Sequence, residues 1–294
     1  MALPRLIFVT GKGGTGKSTV AAALATAISR RRPVTVADLE RRRSVARIIG
    51  VDLNGAESAA VTDNLEIAAL TPRAELEAFI EGIVPLKAIS SRMLRSRTFG
   101  YVSAALPGLE AFLMMERLRL MAGRAALEDR YAVIDAPATG GAIELLSVAR
   151  GVKRIASRGT LNRLAGTLEE FLSDADRFGV ILTVRPEGLA LRETLDAAAE
   201  LRGRLGVRCI AAVLNGVAEE LFTDAEITKV RALGEPARLA ARRREGAKNA
   251  ARARRELEAA DLEVVELPML FSAALGREEL ATLADSFAAG TIMG

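Results

Sequence analysis

The stretch GKGGTGKST at residues 11–19 constrains this chain more than any other. A short apolar run, LIFVT at 6–10, precedes it, and an alanine-rich segment ending in three arginines follows it. The run reads as a buried strand. The segment reads as a helix over 18–32, with cations at its C-terminal end and Pro33 beyond. A strand, a glycine loop and a helix in that order make a βα unit, and the rest of the chain repeats the alternation. Further strands are expected at 34–37, 65–70, 131–134, 180–184, 207–214 and 264–267, with helical stretches between them and a closing helix at 277–288. Residues 72–128 read as mostly helical, broken at Pro85 and at Pro107-Gly108, and 225–260 reads as one charged helix. The expected architecture is α/β, a doubly wound and mostly parallel sheet, with all of 1–294 forming one domain.

The loop fits G-x-x-x-x-G-K-[ST] and has the strand and helix that this pattern needs around it. Gly11, Gly13, Gly14, Thr15 and Gly16 let backbone N–H groups converge on phosphates, with a helix N-terminus behind them. Lys17 would reach the β- and γ-phosphates, Ser18 would ligate Mg²⁺ and Thr19 would touch the α-phosphate. The expected cofactors are ATP and Mg²⁺. One lysine suffices for a phosphate, so Lys12 needs its own explanation.

Composition removes several alternatives. The 294 residues contain one cysteine, Cys209, and no histidine. An internal disulfide is impossible, histidine acid–base catalysis is excluded, and no structural zinc is expected within one chain. No run approaches the ~20 apolar residues of a membrane span. The opening residues do not read as a secretory signal, because the apolar run ends in the glycine loop. The expectation is a cytoplasmic protein without an integral membrane segment.

GKGGTGKST resembles the deviant Walker A motif of dimeric P-loop nucleotide switches, in which the early lysine reaches the partner subunit's nucleotide. The resemblance makes Lys12 the lysine supplied in trans. Within that class, YAVIDAPATGG (131–141), PGLEAFLMMERL (107–118), VLN (213–215) and LPML (267–270) are similar to the ArsA-like and tail-anchored-protein-targeting ATPases. The likeness is closest to bacterial ArsA-like proteins, including those of actinobacteria that work as paired paralogues. It implies that Asp135 holds Mg²⁺ through water, that Gly140 brings its turn to the γ-phosphate, and that Asn215 holds adenine while the loop of Pro268 covers it. It further implies an ATPase that closes as a homodimer, or as a heterodimer with a paralogue, around ATP. The client would be a hydrophobic helix or membrane protein.

The match fails in one place. Counting from the second strand, the position of the family's water-orienting aspartate falls on Arg47, and an arginine is no base at neutral pH. The candidates left to orient the water are Asp38 and Glu40; otherwise the chain is a hydrolysis-poor subunit of a larger assembly. Four of the seven methionines, Met93, Met114, Met115 and Met121, fall in 79–121, where the family places client-binding helices, although packing on the sheet would explain them as well. A basic run at 238–255 carries eight cations against Glu245. It keeps open a positioning ATPase like ParA or MinD, acting on DNA or a membrane surface. A solvated helix face is the simpler account, and nucleic acid is not the expected partner.

Overall fold

The sequence LIFVTG has no polar alternation, and β1 (Leu6–Gly11) is buried along its whole length. Such a strand can only sit inside a sheet covered on both faces. In the structure, a computed structural model, β1 pairs in parallel with β5 (Tyr131–Asp135) on one side and β6 (Phe178–Val184) on the other. The structure describes residues 3–39, 44–53, 56–70, 108–155, 157–272, 274–290 and 292. The sheet extends through β2 (Val34–Asp38), β4 (Leu65–Ala69) and β3 (Ser58–Thr62) beyond β5, and through β7 (Cys209–Val217) and β8 (Val264–Pro268) beyond β6. The order β3-β4-β2-β5-β1-β6-β7-β8 is parallel except for β3, which runs antiparallel to β4 at the edge. That edge strand escapes sequence reading because SAAVT carries small residues and a half-exposed pattern, with no run of large apolar side chains.

Helices cover both faces. α1 (Lys17–Ser29) follows the glycine loop, and α2 (Ser44–Ile49) and α9 (Arg277–Ala289) pack beside it. Ala21, Ala22, Ala23, Ala25 and Ala27 of α1 are all buried, so the helix lies close against the sheet on one side and against its neighbours on the other. The opposite face carries α3 (Leu109–Leu127), α4 (Thr139–Ile155), α5 (Thr160–Ser173), α6 (Gly188–Glu200) and α8 (Glu235–Ala259). Its centre is aromatic. Phe178 stands 5.9 Å from Phe8 and 5.4 Å from Phe171, the latter edge-on, and all three are fully buried.

One reading of the sequence changes, and one of two open accounts is decided within α3. The helix expected over 225–260 is broken into α7 (Asp224–Lys229), a 3-10 turn (Arg231–Leu233) and α8. Gly234 at φ 70° ends the turn, Pro236 opens α8, and Thr223 with Glu226 forms a capping box that starts α7. Within α3, Phe112, Leu113, Met114, Met115 and Leu118 are buried against the sheet, so this part of the methionine-rich stretch is core. Met93, Phe99, Tyr101 and the rest of 71–107 lie outside the described residues.

Removing the central ring should be costly. Phe178→Ala is expected to lower unfolding free energy by about 3–5 kcal/mol. Leu120→Ala, on the exposed side of α3, should change it by no more than about 0.5 kcal/mol in the same urea titration.

Candidate functional site

The glycine loop leaves the sheet at the carboxyl end of β1, the end at which open α/β sheets bind ligands. Gly11 pairs with Thr183 of β6 so closely that a Cβ would lie 2.1 Å from the Thr183 carbonyl oxygen. Only glycine fits there. The loop then folds on itself: the Thr15 hydroxyl donates to the Lys12 carbonyl at 2.8 Å, and Thr15 is buried. Gly13 and Gly14 stand exposed at the crest. Gly16 precedes α1 in the left-handed region at φ 92°, and a Cβ on it would lie 2.2 Å from the side-chain nitrogen of Asn215. That nitrogen donates to the Thr15 carbonyl at 2.8 Å. Asn215, expected to meet adenine, holds the loop in shape here. Pro268 is exposed on the next strand, opposite Val217 and beside the Asn215–Leu267 pair.

Two carboxylates stand at the ends of adjacent strands. Asp38 and Asp135 are in register across β2 and β5 and are nearly inaccessible. The Ser18 hydroxyl donates to Asp135 at 2.6 Å. A hydroxyl and a carboxylate at the head of a phosphate loop are the hard oxygen donors that Mg²⁺ takes beside phosphate oxygens, so these residues fit that ion. Asp38 instead serves the backbone, accepting the Val45 N–H at 3.2 Å and so fixing the start of α2. Glu40 lies outside the described residues. Thr10, at the end of β1, donates its hydroxyl to the Pro137 carbonyl at 2.7 Å, tying the turn after β5 to the loop strand. Gly140 falls in the exposed first turn of α4.

A cleft of about 490 Å³ opens over the start of α1. Its walls are Gly14, Gly16, Lys17, Ser18 and Thr19 from the loop and helix, Ser44, Arg47 and Ile48 from α2, and Leu275 from the β8–α9 connection. Lys12 points elsewhere, with its ammonium 2.8 Å from Glu193 of α6 and both side chains partly exposed. Sequence reading gave no hint of Glu193, one carboxylate on an ordinary helix, nor of Thr10, whose role depends on a turn 127 residues away.

The basic run proves to be largely compensated. On α8, Arg243 and Arg244 pair with Glu219 and Glu220, Lys248 with Asp224, Arg252 with Glu256, and Arg254 with Glu258. Cys209 lies in β7 as a buried free thiol, and burial pushes its pKa up to about 11, so it stays protonated at neutral pH.

The collision at Gly16 can be measured. Gly16→Ala should cost about 2 kcal/mol or more, combining left-handed backbone strain with the clash. In an Asn215→Ala background the clash disappears and the strain remains. A double-mutant cycle in urea should therefore show a coupling of about 1 kcal/mol between the two sites.

Comparison with known proteins agrees with this geometry. Residues 4–160 match the family model described as anion-transporting ATPase, ArsA type. Among relatives, the ATPase BagA of Mycobacterium tuberculosis and the ATPase-named protein Mb3704 of Mycobacterium bovis are each 28% identical over 215 residues. Each alignment takes in 67% of this chain and 61% of the relative, so the chain spans less than two thirds of the length of these proteins. The family match covers more than half of the chain and contains the loop, both buried aspartates and the turn that follows β5. By that match, the chain belongs to the anion-transporting (ArsA-type) ATPase family.

Proposed function

We propose that this chain is an ATP-driven switch, one ATPase unit that binds Mg²⁺–ATP at the glycine loop, pairs with a second subunit around the nucleotide, and opens after hydrolysis. The observation that carries this reading is the 2.6 Å contact between Ser18 and Asp135 at the head of the loop. It brings a serine hydroxyl and a strand-end carboxylate together, as a magnesium nucleotide requires. When bound, the metal neutralises phosphate charge. Lys17 would add its ammonium to the same charge, the loop glycines would present N–H groups, and Asn215 would keep the loop in register while facing the base.

In this reading Lys12 acts across the subunit boundary, and it must first leave Glu193. A half-exposed ion pair of this kind contributes about 0.2–1 kcal/mol. A nucleotide's phosphates carry several negative charges and would meet Lys12 in an interface that excludes water, where attraction is less screened than at half-exposed Glu193, so a partner's phosphate outcompetes it. The second subunit is a copy or a paralogue.

The client proposed from the resemblance, a hydrophobic helix or membrane protein, draws no support from Met114 and Met115, which are core. A DNA or lipid positioning role is weaker still, because the carboxylates around α8 neutralise most of its face. Among the described residues no helix is long and apolar enough to cross a membrane.

The test is ATP turnover together with ATP-dependent mass in solution. Lys17→Ala should abolish both. Lys12→Ala should keep ATP binding but lose pairing and at least about a hundredfold in turnover, as for a charge supplied in trans. Glu193→Gln should raise the paired fraction at limiting ATP by no more than about fivefold, the worth of one exposed ion pair. If Lys12→Ala pairs and turns over like the parent, the lysine has no role in trans.

A further inference from the structure

Arg47 occupies the position at which the resemblance leads one to expect a water-orienting aspartate, yet it has not simply left the site. It lies in the last turn of α2, exposed, and lines the same cleft as Lys17, Ser18 and Thr19. Among the described residues no carboxylate pairs with its guanidinium. α2 is held in this place from two sides. Asp38 accepts the Val45 N–H at its start, and Val45, Ala46 and Ile49 are buried in the core shared with α1. Arg47 therefore projects from a fixed turn into the space above the loop.

We propose that Arg47 is a nucleotide-binding residue that grips the α- and β-phosphates, so that this subunit holds ATP and ADP about equally well. The inference rests on the ATP reading above. The cleft places the contact. Its walls include Thr19 and Leu275, from the connection that follows Pro268, and include none of the turn at 136–141 that would face the γ-phosphate. A guanidinium matches phosphate oxygens two at a time, which an aspartate in this place would repel. A cation that grips phosphates common to substrate and product stabilises both, and by itself does not favour the transition state. The substitution thus moves the site from fast turnover towards long retention of product.

Calorimetric titration of the purified chain with Mg²⁺–ATP and Mg²⁺–ADP tests this, using the parent, Arg47→Ala, Arg47→Lys, Arg47→Asp and Lys17→Ala. The expected result for Arg47→Ala is a loss of about 10- to 100-fold in affinity for both nucleotides, with the ATP-to-ADP ratio held within about twofold. Arg47→Lys should recover part of the loss, and Arg47→Asp should lose more than Arg47→Ala. Nucleotide-free melting temperatures should match the parent, since the side chain is exposed. If both affinities stay at the parent value while Lys17→Ala loses binding, Arg47 touches no phosphate, although the ATP reading stands. If ATP weakens and ADP does not, the contact is to the γ-phosphate and the proposed placement is overturned. Faster turnover in Arg47→Asp at unchanged affinity would also overturn the proposal. A parent that binds neither nucleotide ends both readings.

Discussion

The approach of Gly11 to the Thr183 carbonyl is the contact on which the rest of the site depends. A side chain at that point would push β1 away from β6, and β1 is the central strand that both halves of the sheet share. Because the two strands close tightly, the loop emerges between Asp135 on one side and Thr183 on the other. It then turns directly into α1. The helix N-terminus, the serine hydroxyl and the buried carboxylate are all aimed by that one exit point.

From there the site is braced by single polar contacts that bridge long stretches of sequence. Asn215 holds the loop from β7, Thr10 holds the turn after β5, and Asp38 holds the start of α2. Each contact is worth about 1 kcal/mol in a folded protein. Their effect is chiefly geometric, since each fixes a backbone segment that has no sheet or helix partner at that point. Asp38 illustrates how roles divide between neighbours. Two buried carboxylates in register would repel if both faced the cleft. One of them meets the serine, and the other is engaged by a backbone N–H at a helix start.

Much of this was legible in the sequence, for definite reasons. Buried parallel strands are continuous apolar runs, so LIFVT, VTVA and YAVI were readable, as was the loop between the first strand and its helix. The edge strand SAAVT was not, since an edge needs no strong apolar face. The break inside 225–260 is marked by Gly234 and Pro236, but the charged helical pattern that runs on both sides of them masks it. At the site, Lys17 and Ser18 were expected from the loop pattern and Asp135 from the family resemblance, and the fold sets Ser18 against Asp135. The contacts of Lys12 with Glu193 and of Arg47 with the cleft were not expected, because both join elements that meet only after the sheet has formed. For the basic run the sequence favoured a solvated face but could not show what answers its charge. Its cations are adjacent in sequence, while several of the acids that answer them lie on the preceding connection.

Cys209 has a practical consequence. The chain carries a single sulfhydryl, buried at the first residue of β7 with its pKa raised well above neutrality. Maleimides and spin labels react with accessible thiolates, so the native fold is nearly silent towards them. A cysteine installed at an exposed position such as Leu127 or Ile155 would then be the sole reactive handle on each copy. Distances between two such handles could be followed through a nucleotide cycle without first stripping the natural thiol from the core.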